Sequence, residues 1–118
     1  MHYTLLGRTG VRVSTLCFGT MSFGSEADEQ TSEAMYRRCR EIGINFFDTA
    51  NVYTAGRSEE ILGKLMGGER DQLVLTSKVC GAMGSDINDR GLSRRHISTQ
   101  VEASLKRLQT DRLKSDTR

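Results

Sequence analysis

The 118 residues carry 17 lysines and arginines against 15 aspartates and glutamates, a formal net charge of +2. So even a balance gives no reason to expect nucleic acid or an anionic membrane as a partner, and no apolar run approaches the ~20 residues that span a bilayer. Cys17, Cys39 and Cys80 are odd in number, far apart and without metal-ligand spacing, so they read as reduced thiols in or near a core. The start, Met1-His2-Tyr3-Thr4, lacks the basic-then-apolar pattern of a secretory signal, and the expected setting is the cytoplasm.

In chain order, Tyr3-Thr4-Leu5-Leu6 meets a turn at Gly7-Arg8-Thr9-Gly10, and Val11-Arg12-Val13 alternates beyond it. Two short runs about a glycine-bounded loop predict a β-hairpin over residues 1–13. Leu16-Cys17-Phe18 is continuously apolar and ends at Gly19-Thr20, which predicts a strand buried on both faces. Asp28 is placed to cap a helix with Met35, Cys39 and Ile42 on one stripe, stopped at Gly43. Ile44-Asn45-Phe46-Phe47 predicts the next strand, ending at Asp48-Thr49-Ala50. Ser58 is read as the cap of a second helix with Ile61, Leu62, Leu65 and Met66 inward, closed by Gly67-Gly68. Leu73-Val74-Leu75-Thr76 predicts a third strand, ending at Ser77-Lys78. A polar loop follows from Gly81 to Gly91, and Ser93 is read as the cap of a third helix with Ile97, Val101, Leu105 and Leu108 on its stripe.

Residues 14–111 therefore read as three β/α units of about thirty residues each, and the alternation argues for a parallel sheet with helices packed outside it. Two architectures share that order. A doubly wound dinucleotide fold requires G-x-G-x-x-G after its first strand. Gly19 to Gly24 reads G-T-M-S-F-G, without the middle glycine, and no helix begins there to receive a phosphate. A (β/α)8 barrel instead places its chemistry at the carboxyl ends of successive strands. Thr20, Asp48 and Lys78 stand at those three ends, and Tyr53 lies in the loop leaving the second strand.

These residue types make coherent chemistry. A tyrosine hydroxyl ordinarily titrates near pH 10, a neighbouring ammonium favours its phenolate form, and a carboxylate holds that ammonium in place. The tyrosine can then give a proton to a carbonyl oxygen.

The segment Gly43-Ile44-Asn45-Phe46-Phe47-Asp48-Thr49-Ala50, then Tyr53, Gly56-Arg57-Ser58-Glu59 and Leu62-Gly63, resembles the signature of the aldo-keto reductases. Gly19-Thr20-Met21, Thr76-Ser77-Lys78 and Gly91-Leu92-Ser93-Arg94-Arg95-His96-Ile97 resemble that family at matching distances, so the likeness runs from Tyr3 to about Asp111. The G-T-M-x-F-G run and the N-x-Y loop are most similar to the branch holding bacterial general reductases and potassium-channel β subunits. The resemblance implies a (β/α)8 barrel, here as a hairpin and the first three β/α units. It implies NADPH as cofactor and a small aldehyde or ketone as substrate. By matching position it makes Tyr53 the proton donor, Lys78 its partner and Asp48 the partner of Lys78, with Gly19, Thr20, Met21 and Asp48 near the nicotinamide. No metal is implied. Arg57 and Glu59 are expected in structural ion pairs or helix-dipole contacts.

The family pattern continues into a fourth strand ending in a catalytic histidine. Here residues 112–118, R-L-K-S-D-T-R, form an atypical polar tail, while His2 and His96 belong to the hairpin side and a helix start. A barrel of this type takes about 250 residues to close, and three strands leave two open edges. The sequence is therefore also compatible with a truncated, catalytically inactive fragment or pseudoenzyme acting through a partner, or with two such chains covering each other's edges.

Overall fold

The computed structural model describes residues 1–113, so the greater part of the polar tail lies outside the described residues. Strand β1 (Tyr3–Leu5) and strand β2 (Arg12–Ser14) form the expected hairpin, antiparallel with Thr4 opposite Val13. β2 extends one residue past the predicted boundary because Ser14 is pinned from outside: its amide donates to Asn45 Oδ1 at 2.7 Å. Asn45 Nδ2 donates back to Arg12 O, and the Tyr3 hydroxyl to Gly43 O. Asn45 stands just ahead of the central strand, so the hairpin closes the amino-terminal end of the sheet.

That sheet is parallel, in the order β3 (Phe18–Gly19), β4 (Phe46–Asp48), β5 (Val74–Thr76). Helix α1 (Glu29–Glu41) crosses from β3 to β4. A 3₁₀ turn (Tyr53–Gly56), helix α2 (Arg57–Met66) and a second 3₁₀ turn (Gly67–Gln72) cross from β4 to β5, and helix α3 (Arg94–Leu108) follows β5. This is a hairpin with three β/α units, a partial barrel wall that does not close on itself. Among the described residues no helix is long and apolar enough to cross a membrane.

Strand parity decides which side chains make the core. Phe47 of β4 stands in register with Leu75 of β5 and Phe18 of β3. Phe47 and Leu75 point toward the helices and are fully buried against Phe23, Tyr36, Ile61, Leu62, Met66 and Leu108. Burying a side chain of this size contributes roughly 1.5–3 kcal/mol. Phe18 meets Phe47 edge-on at 6.0 Å between ring centroids. Tyr36 lies 5.2 Å from the same ring, and its hydroxyl donates to Glu69.

Several sequence expectations need correction. The apolar run Leu16–Phe18 is not a strand buried on both faces: β3 has two residues and, among the described residues, pairs with β4 alone, and Leu16 and Cys17 are exposed. Cys80, in the loop after β5, is exposed too, and only Cys39 is a core thiol. Helix α1 turns Ser32, Tyr36 and Cys39 inward, and α3 turns His96, Ser104 and Leu108 inward. The predicted stripe members Ile42 and Val101 consequently lie exposed on the flanks of those helices. Asp28 and Ser93 do cap α1 and α3, accepting from Thr31 N and His96 N respectively. Ser58 does not cap α2. Gly56 holds the cap position, and Ser58 lies inside the first turn with its hydroxyl on another errand.

Candidate active site

The ends of the three parallel strands present two rows of side chains, separated by the same parity. On the face away from the helices Gly19, Asp48 and Thr76 stand side by side in register. The Thr76 hydroxyl donates to Asp48 Oδ1 at 2.7 Å, a cross-strand contact that the register dictates. One residue further on, Thr20, Thr49 and Ser77 turn toward α2, and all three are buried. Ser58 Oγ donates to Thr20 O at 2.7 Å and lies 2.9 Å from Thr20 Oγ1 and 3.3 Å from Thr49 Oγ1. Ser77 Oγ donates to Glu59 Oε1 at 2.6 Å. The first turn of α2 thus gathers all three strand ends.

Lys78 follows Ser77 and turns back to the open face. Its ammonium donates to Asp48 Oδ2 in a short ion pair, to Thr49 O at 2.9 Å and to the Tyr53 hydroxyl at 3.2 Å. Three donor hydrogens meet three oxygens, the full capacity of an ammonium. Partial burial pulls the Lys78 pKa down, but the hydrogen bonds and charges of Asp48 and Tyr53 more than offset it, and the net shift is upward. Nζ also lies 5.0 Å from the Tyr53 ring centroid. The structure therefore brings together Asp48, Tyr53 and Lys78, residues separated by up to 30 positions in sequence. A shallow cleft of about 200 Å³ beside them is lined by Val52, Tyr53, Lys78, Val79, Cys80 and Gly81, among others.

Tyr53 reaches Lys78 because the chain after β4 reverses sharply. Thr54 and Ala55 both adopt left-handed backbone, with φ of 50° and 52°, followed by Gly56 at 96°. Two successive non-glycine residues in that region cost roughly 1–2 kcal/mol each. The Thr54 hydroxyl, donating to Phe23 O at 3.0 Å, is one contact that holds the turn.

Of the residues assigned to the cofactor, Gly19 and Met21 lie open on the rim. Among the described residues, nothing beyond its two chain neighbours comes within 4 Å of where a Gly19 Cβ would sit, and Met21 is 67% exposed. Gly19 is in register with Asp48, so the neighbouring strand puts no side chain directly beside the carboxylate at that position. Thr20 is placed differently. It is fully buried, with its hydroxyl and carbonyl engaged by Ser58 and its amide by Asp48 O, so its part is to fix Gly19 and Met21 on either side. Cys17 is a neighbour the sequence did not suggest. The residue is exposed as a whole, but its sulfur is partly shielded from water; that partial desolvation pushes its thiol pKa up, the Asp48 carboxylate adds to the rise and Lys78 opposes it.

Sequence reasoning also missed how Arg57 and Glu59 pair. Arg57 donates to Glu29 and Glu60 on the surface. Glu59 is fully buried and accepts from Arg107 Nε at 2.7 Å, a partner 48 residues away on α3. No local spacing announces such a contact.

The aldo/keto reductase family matches residues 15–115. The chain belongs to that family. It is 49% identical to an uncharacterised oxidoreductase of Bacillus subtilis (strain 168), over 96% of this chain and 38% of that protein. It is 44% identical to a rice protein, from Oryza sativa subsp. japonica, described as a probable voltage-gated potassium channel β subunit, over 94% of this chain and 35% of the other. Among solved structures it superimposes on an aldo-keto reductase from Bacillus halodurans in its holo form with a TM-score of 0.83 at 34% identity, covering 96% of this chain and 38% of that one. The chain thus spans less than two fifths of these relatives.

Proposed function

We propose that this chain carries the proton-donating side of an aldo-keto reductase site, serving reversible reduction of small aldehydes or ketones to alcohols in the cytoplasm. The observation that carries the reading is the Lys78 ammonium, held by Asp48 and Thr49 while it touches the Tyr53 hydroxyl. NADPH, when bound, would supply the hydride. Gly19 and Met21 would line its nicotinamide end, with Asp48 at the edge and Thr20 holding both rim residues in place.

The Tyr53 hydroxyl gives its proton to the substrate carbonyl oxygen as the carbon is reduced. The phenolate left behind is stabilised by the fixed ammonium 3.2 Å away, a charge that needs no rearrangement at the moment of transfer. Asp48 keeps that ammonium charged and aimed, and Thr76 keeps Asp48 aimed. In the reverse direction the same phenolate accepts the alcohol proton.

The test follows NADPH consumption by the purified chain with a reactive aromatic aldehyde, beside Tyr53→Phe. Turnover abolished in the variant supports the reading. Turnover that survives it assigns proton donation elsewhere. A second reading, a catalytically inactive fragment or pseudoenzyme that acts by associating with a partner, is favoured by the outer edges of β3 and β5, which pair with no strand among the described residues. Soluble protein without turnover in any variant supports that reading instead.

A further inference from the structure

We infer that Glu59 and Arg107 are positioning residues that set the geometry of the Lys78–Tyr53 pair; this rests on the function proposed above. Glu59 lies in the first turn of α2, fully buried, with one oxygen on Ser77 at 2.6 Å and the other on Arg107 at 2.7 Å. Ser77 is the residue immediately before Lys78, and by strand parity its side chain faces α2 while that of Lys78 faces the rim. The Glu59–Ser77 bond therefore fixes the backbone from which Lys78 projects, without itself entering the site.

The other end of the chain of contacts reaches Tyr53. The Arg107 side chain packs on Gly56, where a Cβ would meet Cδ at 3.0 Å and Nε at 3.2 Å. Gly56 closes the left-handed turn Thr54–Ala55 that brings Tyr53 back over Lys78. Backbone held in so sparsely populated a conformation persists only where its surroundings over-determine it, and Arg107 is part of those surroundings. One ion pair, its carboxylate fully buried and its guanidinium partly so, thus touches both supports of the site, the strand end under Lys78 and the turn behind Tyr53.

A fold lock alone explains this less well. Buried ion pairs add little stability over well-packed apolar residues of the same volume, because desolvation offsets the attraction. They do fix direction, since a carboxylate with both oxygens engaged and a guanidinium at its Nε have few alternative arrangements. What the pair contributes is a set distance between a strand end and a loop on different elements.

The test is the nuclear Overhauser cross-peak between the Lys78 ε-methylene and the Tyr53 ring in the purified 118-residue chain. Glu59→Gln, Arg107→Met and the milder Ser77→Ala are expected to weaken it several-fold while methyl-resonance dispersion shows a retained fold. Arg107→Lys, which keeps the charge, is expected to recover part of it. Ser93→Ala, which removes the α3 cap and loosens the helix without touching the pair, should leave it unchanged. If Glu59→Gln does not fold, Ser77→Ala decides. An unchanged cross-peak in folded Ser77→Ala, or none in the unaltered chain, overturns the inference. Loss of the cross-peak as expected, in a chain without NADPH turnover, sustains the positioning role and removes the catalytic reading instead.

Discussion

Gly63 offers a case in which two physical effects have opposite signs and the structure decides between them. By helix propensity alone, Gly63→Ala within α2 should stabilise the protein by roughly 0.8–1 kcal/mol. The packing points the other way. A Cβ at Gly63 would stand 2.5 Å from Arg107 O, 2.8 Å from Leu108 C and 2.9 Å from Leu108 Cα. These are backbone atoms of α3 and cannot rotate aside, so the helices must separate by roughly an ångström to restore ordinary contact. Leu108 is fully buried in the common core and would be drawn out with them. Overpacking of this kind costs about 1–3 kcal/mol, and here a rigid backbone meets the intruding methyl, which places the cost in the upper half of that range. The net expectation is destabilisation of about 1–2 kcal/mol, a fall in Tm of about 4 °C per kcal/mol for a chain of this size.

Gly68 supplies the internal comparison. It has ordinary backbone and open space where its Cβ would sit, so Gly68→Ala should be neutral or stabilising by about 0.4–1 kcal/mol through the unfolded chain alone. Urea unfolding followed by circular dichroism measures both variants. Should Gly63→Ala prove as stable as the parent, the close approach of α2 and α3 is wrong, and with it the contacts that bring Arg107 to Glu59.

Two further predictions concern the rim. The folded Lys78 pKa lies above its unfolded value near 10.5. Its contribution is therefore whole below about pH 10.5 and is lost as pH rises through the folded value. The urea midpoint of the parent should exceed that of Lys78→Met by a constant margin from pH 7 to about pH 10, a margin that shrinks above it; a margin that grows with alkalinity has the wrong sign. Cys17, whose thiol pKa is pushed up by partial desolvation of its sulfur and then by Asp48, should alkylate faster in Asp48→Asn at pH 8, with the buried Cys39 protected in both proteins. Peptide mass spectrometry separates the three thiols, and an unchanged Cys17 rate would place its sulfur away from the carboxylate.

Much of this architecture is written in local pattern. Asp28 and Ser93 announce their helices because a side chain three residues ahead of an amide is a local relation, and both caps form. Asp48 and Lys78 stand at strand ends that short apolar runs mark out. What is hidden depends on the rotation of each helix about its axis. Ile42 and Val101 satisfy helical spacing as well as Tyr36 and Leu108 do, and only the neighbour each helix meets selects the buried stripe. Ser58 looks like a cap because it precedes an apolar helix face, yet its hydroxyl is drawn to Thr20, 38 residues earlier. The Glu59–Arg107 pair is illegible for the same reason: it depends on α2 and α3 crossing at Gly63.

The two rows of strand-end residues, one open to the rim and one of buried hydroxyls, suggest why the candidate site sits on this wall. At each strand end one residue faces the rim and the next faces α2: Gly19 then Thr20, Asp48 then Thr49, and at β5 the alternation continues through Ser77 to Lys78. Every rim residue is thereby flanked by a neighbour whose hydroxyl is tied to the first turn of a single helix. Threonine and serine serve here because they are short enough to be buried under α2 and still satisfy a hydrogen bond. An apolar residue in the same place would pack against α2 but leave the helix free to slide along the sheet. Such slippage would matter little to the core around Phe47 and Leu75. It would matter at the rim, where an ammonium must meet three oxygens at once, and a shift of about 1 Å is enough to cost a catalytic constellation two orders of magnitude in rate.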